Sequence, residues 1–358
     1  MNPLHDLGWT DRLQAHLTVL DDPQLLPARV ASETRGHYVL LAESGAHHAQ
    51  LSGKLRFDAR LREHLPAVGD WVAFTPVNDA EGIIHAVLPR LSVFSRRAAG
   101  TSHDVQIVAA NLDVVFLAMA LNQDFNLRRL ERYLVLAWES GADPVVLLTK
   151  ADLCPDREER KREVERMAGL APVLVTSSLT GEGIFPVRDH IPPGRTAGIL
   201  GSSGAGKSTL INRLLGDDRL LTGAIREDDG RGRHTTTRRE LLLLPGGGLI
   251  LDTPGMRELG LWDGANGLGA AFEDVEALAG RCRFRDCGHD SEPGCAVRVA
   301  LDDGTLARER LESFRKLQRE LAHQARSQDV NLARDRQQHV KRISQDIKRL
   351  YRERDRLE

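Results

Sequence analysis

The chain has 358 residues, 41% hydrophobic and 28% charged, with a formal net charge of −2. That length supports two or three domains with their own cores, while no run approaches the roughly 18 uninterrupted apolar residues of a membrane span and the start, MNPLHDLGWTDRLQ, lacks the basic end and apolar stretch of a secretory signal. The near-neutral total hides an asymmetry: residues 306–358 carry 15 Lys and Arg against 9 Asp and Glu, a basic tail that suits either contact with phosphates or a solvated helix laced with ion pairs.

In chain order, residues 1–27 read as a polar extension with one short helix. From 28 to 92, the stretches HYVLLAE, HAQLSGKLRF, GDWVAFTPV and GIIHAVLPR are short strands punctuated by Gly and Pro. This is the pattern of a small antiparallel β-barrel, and the five-stranded oligonucleotide-binding (OB) fold is the natural candidate. Arg29, Arg35, Lys54, Arg56, Arg60 and Arg62 lie in and around it. Tyr38, Phe57, Trp71 and Phe74 either stack on bases or fill the barrel core. Residues 93–106 are polar and small, and read as a mobile linker. From 107 to 262, continuous apolar strands such as LDVVFLAMAL and PVVLLT alternate with amphipathic helices such as NLRRLERYLVLAWES, closed by Gly141. That alternation predicts an α/β domain with a parallel sheet covered on both faces. Residues 263–326 hold a cysteine cluster in a helical setting. Residues 327–358 form the basic helical tail, with Val340, Ile343, Ile347 and Leu350 in a narrow apolar seam.

The strongest motif is GSSGAGKST, in which Gly201, Ser202, Ser203, Gly204, Ala205, Gly206, Lys207, Ser208 and Thr209 follow a strand and open a helix. This is a phosphate-binding P-loop: its amides and the helix N-terminus face the phosphates, Lys207 bridges β- and γ-oxygens, and the Ser208 hydroxyl ligates Mg²⁺. Downstream, LILDTPG places Asp252 to hold Mg²⁺ through a water and the Gly255 amide near the γ-phosphate. GRHTTT supplies Thr236 as a switch ligand that reaches Mg²⁺ only when the γ-phosphate is present.

TKAD, at the end of an apolar strand, points to guanine. The Asp152 carboxylate accepts from N1 and N2 of that base, the Lys150 stem covers it, and Thr149 stands where Asn is the common residue. Adenine would leave the carboxylate unsatisfied at a cost of several kcal/mol. SSLTGEG contributes Ser177, Ser178 and Leu179, with the Ser178 amide facing the guanine oxygen. The elements therefore run base, base, phosphate, switch, metal, whereas a standard GTPase runs phosphate, switch, metal, base, base. A cyclic shift keeps every spatial neighbour when the old termini are close, so the domain is a circularly permuted GTPase.

CRFRDCGHDSEPGC offers Cys282, Cys287, His289 and Cys295. Three thiolates and an imidazole make a closed tetrahedral set for one structural Zn²⁺, worth on the order of 10 kcal/mol to a segment with little core. Three unpaired thiols are the alternative, and Cys154 is a bystander.

Together the barrel with VGDWV, ANLD, LERYLVLAWESG, TKADL, SSLTGEG, GSSGAGKSTLIN, GRHTTT, DTPGMRELGLW and the cysteine motif resemble the ribosome small subunit-dependent GTPase A family (RsgA, also called YjeQ), over about residues 28–325. The resemblance implies an N-terminal OB barrel, a permuted GTPase domain and a C-terminal zinc domain. It also implies GTP hydrolysis stimulated by the 30S subunit, with binding to that particle and its rRNA late in its maturation. A cytoplasmic, monomeric protein with no membrane partner is expected. Met256 occupies the place of the glutamine that orients the attacking water in Ras-like enzymes. His234, beside the Thr run, is the candidate replacement, and the resemblance points the same way. Met256 also keeps open a GTP-binding RNA assembly factor with little hydrolysis of its own.

Overall fold

A computed structural model describes residues 3–59, 61–97, 105–216, 239–252, 265–323 and 326. His234, Thr236, Gly255 and the tail with its apolar seam lie outside the described residues. The first unit is a closed five-stranded barrel of β1 (Leu26–Thr34), β2 (His37–Ala42), β3 (Gly45–Leu51), β4 (Trp71–Pro76) and β5 (Glu81–Val87). Closure follows the order β1-β2-β3-β5-β4 with β4 returning to β1; only the β3–β5 pair is parallel. This is the OB topology. Tyr38 and Phe74 fill the barrel interior, Trp71 on the other face of β4 is buried in the main core, and Phe57 on the helix that follows β3 is 85% exposed. The first three are therefore core rather than base-stacking residues. HAQLSGKLRF does not stay extended, because Ser52 accepts a hydrogen bond from Leu55 N at 3.1 Å and caps a short helix, Gly53–Asp58.

The N-terminal extension is more than a polar leader. It forms two short helices, Pro3–Asp6 and Asp11–Thr18, and buries Leu4, Leu7, Trp9 and Leu13. Trp9 meets Trp71 edge-on with ring centroids 4.8 Å apart. Each such burial contributes roughly 1.5–3 kcal/mol before entropy. Beneath them Arg29, which the sequence left as a possible RNA contact, is fully enclosed. Its guanidinium donates to the carbonyls of Leu7, Gly69 and Asn111, so one side chain ties the extension, the barrel and the entry to the next domain. Burial pulls its pKa down to about 10, against the opposing pull of Asp113 and Asp70, and it remains cationic at neutral pH.

The expected linker has ordered ends. Val93–Arg97 (β6) pairs antiparallel with Val105–Ala110 (β7), because Phe94 finds a buried place in the main core. The α/β domain follows: β8 (Val114–Ala120), α4 (Leu127–Ser140), β9 (Asp143–Thr149), α5 (Arg157–Ala168), β10 (Val173–Val175), α6 (Ile184–Asp189), β11 (Thr196–Gly201), α7 (Lys207–Leu215), β12 (Glu240–Leu243) and β13 (Leu249–Asp252), where α3 is the helix Gly53–Asp58 and α1 and α2 the two N-terminal helices. The sheet order is β10-β9-β8-β11-β13-β12, with β12 alone antiparallel. Alternate residues of β8 face opposite cores: Val115, Leu117 and Met119 join one cluster, and Val114, Phe116 and Ala118 the other. That double burial is what its unbroken apolar sequence requires.

The C-terminal unit comprises α8 (Ala265–Ala271), α9 (Glu273–Ala279), the cysteine segment, α10 (Ala296–Asp302) and a helix over 308–323. It docks on α4. A Cβ at Gly267 would lie 2.3 Å from the Val135 carbonyl, so only glycine allows α8 to approach this closely. Arg310 pairs with Glu131 of α4 at 3.0 Å and lies over the Phe272 ring at 3.9 Å. Arg132 reaches Glu320 at 2.8 Å.

Candidate nucleotide site and metal cluster

The carboxyl ends of β9, β10, β11 and β13 lie side by side along one edge of the sheet, where open α/β folds bind ligands. Thr149 ends β9, Gly201 ends β11 and Asp252 ends β13; SSLTGEG begins just after β10. Segments separated by up to a hundred residues therefore open onto one edge, in the neighbour order of an unpermuted GTPase sheet.

Within the P-loop, Gly206 has φ +83°, a left-handed conformation that lets the chain turn into α7. Lys207 Nζ donates to the carbonyls of Gly201 at 2.8 Å and Ser202 at 2.5 Å, which folds its stem across the loop. Ser208 and Lys207 are half-buried, and Ser203, Gly204 and Thr209 are exposed. Half-buried Asp252 stands on β13, the strand beside β11.

Two hydrogen bonds join the loops. The Thr149 hydroxyl, buried, donates to the Ala205 carbonyl at 2.7 Å and ties the TKAD loop to the P-loop. Thr at this place thus supplies a brace with a single hydroxyl. The Ser177 hydroxyl donates to Asp152 Oδ1 at 2.5 Å, while the Asp152 residue stays exposed and able to accept from a base. Lys150 takes a left-handed turn, φ 59°, between them. Ser178 is half-buried and Leu179 exposed on the same loop, which the Gly181 N to Ser177 O bond of 2.8 Å closes.

Sequence reasoning missed Asp124. It lies in the LNQDFN loop after β8, and its carboxylate accepts from the Ser202 hydroxyl of the P-loop. It also pairs with Arg129 at 2.8 Å. Partial burial pushes this carboxyl up, but the bonds from Ser202 and Arg129 and the charges of Arg129 and Lys150 outweigh it and hold it below the usual range. The available signal was positional: an acidic residue at the end of the strand beside the P-loop strand.

The ligand atoms of Cys282, Cys287, His289 and Cys295 all lie within 4.8 Å of one another. His289 Nδ1 is 3.6 Å from Cys282 Sγ and 3.5 Å from Cys295 Sγ, and those two sulfurs are 3.9 Å apart. A tetrahedral zinc with its usual bond lengths requires about 3.8 Å between sulfurs and about 3.5 Å from sulfur to nitrogen. The donor set and its spacing therefore fit such an ion. Glu292 braces the loop, its carboxylate accepting from the amides of Gly288, Asp290 and Ser291 at 2.7–3.0 Å.

Fold and site together define a circularly permuted P-loop GTPase. The model of the RsgA GTPase family matches residues 87–262. A second model, described as a 50S ribosome-binding GTPase, matches residues 196–355 and so begins at β11, where an unpermuted domain would start. The chain is 49% identical over 352 residues to the small ribosomal subunit biogenesis GTPase RsgA of Opitutus terrae, covering 96% of each. Among solved structures, YjeQ from Thermotoga maritima superposes with a TM-score of 0.62 at 28% identity, covering 83% of this chain and 99% of that one. YloQ, described as a circularly permuted GTPase, shares the fold with a TM-score of 0.60 at 24% identity, over 84% of this chain and 96% of that one. The chain belongs to the RsgA GTPase family.

Proposed function

We propose that this GTPase binds the small (30S) ribosomal subunit and assists its late maturation, hydrolysing GTP to GDP and phosphate in a subunit-stimulated way. The observation that carries the chemistry is the pair of bonds, Thr149 to Ala205 and Ser177 to Asp152, that link the base-reading loops to each other and to the P-loop. Asp152 and the Ser178 amide read guanine, the loop amides and Lys207 hold the phosphates, and Ser208 with Asp252 supplies hard oxygen donors suited to Mg²⁺. Thr236 would supply a further Mg²⁺ ligand and the Gly255 amide would meet the γ-phosphate. Mg²⁺, when bound, neutralises charge developing on the phosphate oxygens. His234 orients the attacking water. The cysteine cluster holds one structural Zn²⁺, with no open position for catalysis. The ribosomal partner is supported by the relatives' shared role in small-subunit biogenesis, which also supports a cytoplasmic setting. Among the described residues no helix is long and apolar enough to cross a membrane. Domain limits of 28–92, 107–262 and 263–326 serve this reading, with the barrel and the C-terminal unit offering RNA-facing surfaces on either side of the GTPase domain.

Met256 favours a second reading, a GTP-binding assembly factor with little hydrolysis of its own. Phosphate release with and without purified 30S particles separates the two. A large stimulation supports the first; binding of the particle with turnover unchanged overturns it. Co-sedimentation with 30S, 50S and 70S particles, in GDP and in a non-hydrolysable GTP analogue, tests the partner.

A further inference from the structure

Away from the nucleotide edge, a cavity of about 570 Å³ opens at the seam between the barrel and the GTPase domain. Four guanidinium groups line it. Arg35 comes from the β1–β2 turn, Arg56 from α3, Arg62 from the turn of helix before β4, and Arg239 from the residue that enters β12. Glu33 is the one carboxylate in the lining, and it is engaged by the Gly36 amide at 3.0 Å. None of the four arginines forms an ion pair among the described residues. Arg239 is half-buried and, among the described residues, donates to the Ile107 carbonyl at 3.3 Å. Burial lowers its pKa, and the charges of Arg96 and Arg62 add to that against the pull of Glu33.

Like charges gathered in a concavity repel, and the guanidinium fork is the side chain best matched to phosphate oxygens. The hollow on α5 is different: there Arg162 and Arg166 alternate with Glu159 and Glu165, so that surface is self-compensated. Among the described residues the seam cavity is not. Its arginines come from both units, so an occupant would touch the barrel and the GTPase domain at once. Its volume, about 570 Å³, falls within the roughly 300–1,000 Å³ of ligand pockets.

We propose that this seam cavity, lined by Arg35, Arg56, Arg62 and Arg239, is a phosphate-binding site separate from the P-loop. Its ligand is a phosphate-bearing chain, supplied either by an RNA backbone or by a free polyphosphate. The proposal extends the RNA-facing side of the proposed function, and it stands or falls separately from the nucleotide site.

The test uses the full chain with its P-loop saturated by GDP and Mg²⁺. Binding of a labelled single-stranded uridylate 12-mer is followed by anisotropy across a salt series, and binding of inorganic tripolyphosphate by calorimetry. The double variant R62Q/R239Q removes one arginine from each side of the seam. R239K keeps the charge, and R162Q/R166Q on α5 is the control. The expected result is that R62Q/R239Q loses about 10-fold or more in affinity for at least one ligand. If RNA is that ligand, the slope of log affinity against log salt flattens by about 1.4, two lost contacts at about 0.7 each for a single strand. R239K stays within a few-fold of the parent, the α5 control is unchanged, and GDP affinity holds throughout. Loss with RNA alone assigns the site to a nucleic-acid backbone, and loss with tripolyphosphate alone assigns it to a free polyphosphate. Affinity for both ligands within twofold of the parent, or an equal loss in the α5 control, overturns the proposal. Failure of GDP to bind the parent would instead sink the nucleotide reading and leave the seam measurement interpretable.

Discussion

Thr149→Val tests whether the base loop and the phosphate loop act as one unit. Valine matches threonine in shape, so no cavity forms and the change is confined to the hydroxyl. That hydroxyl donates to the Ala205 carbonyl at 2.7 Å, and both residues are buried, Ala205 completely. Water cannot replace the lost donor without opening the loop, so the carbonyl is left unsatisfied at a cost of about 1–3 kcal/mol. If the P-loop keeps its shape in the free protein, the cost falls on folding. If it relaxes, the cost falls on nucleotide binding, where it corresponds to about 5- to 150-fold weaker GDP. Titration with a fluorescent GDP analogue, alongside thermal melts with and without nucleotide, reads both shares. Thr149→Ser keeps the donor and should recover most of the loss. GDP affinity within twofold of the parent, together with a melting temperature moved by less than about 1 °C, would refute the brace.

Asp152→Asn replaces the acceptor proposed for two guanine N–H groups; GDP affinity should fall by about 100-fold or more while xanthosine diphosphate binding rises, as measured by competition. His234→Ala should leave GTP binding intact and lower 30S-stimulated phosphate release by about 10²–10⁴-fold; full stimulated turnover would remove the residue from the mechanism. Arg310→Met leaves Glu131, 3% exposed at its side chain, without its main counter-ion, for which buried pairs lose about 3–5 kcal/mol. Because Arg128 remains 3.3 Å away, urea denaturation should show the lower end of that range, and adding Glu131→Leu should recover part of it. Purified protein should carry about one equivalent of zinc, and a chelator should make the cysteine segment protease-sensitive; under half an equivalent counts against the closed Cys₃His site.

The motifs that carry nucleotide chemistry were legible because each depends on a short run of backbone. A P-loop must have glycines at set places, and its strand and helix follow immediately on either side. The barrel was legible from period-two alternation, but which aromatics were buried was not: Trp71 and Phe57 both look like stacking residues until the N-terminal extension covers Trp71, while Phe57 on α3 stays exposed. Long-range polar partnerships left no local trace. Arg29 resembles a surface base in sequence, yet it is satisfied by carbonyls 22, 40 and 82 residues away. Asp124 meets the P-loop 78 residues downstream, and no periodicity announces it. The N-terminal extension reads as polar because its four buried apolar residues are spread over two short helices and the turn between them, too few for a periodic signal.

Permutation gives the C-terminal unit two holds on the nucleotide site. The first is covalent: residues 253–264 join Asp252, at the end of β13, to α8. The second runs through α4, which carries Glu131 and Arg132 under the C-terminal helix. The first turn of α4 holds Arg129, which pairs with Asp124, and Asp124 in turn accepts from Ser202 of the P-loop. Asn126 caps that turn, accepting from Arg129 N at 3.0 Å, so the ionic contacts rest on a fixed helix end rather than a free loop. In the unpermuted order the strand ending in Asp252 would continue into β8 and the C-terminal unit would have no covalent link to β13. Rearranging the chain thus places the Cys₃His cluster in the unit that follows Asp252 directly in sequence. The two routes reach different elements of the C-terminal unit, α8 through the chain after Asp252 and the helix over 308–323 through the Glu131–Arg310 and Arg132–Glu320 pairs of α4.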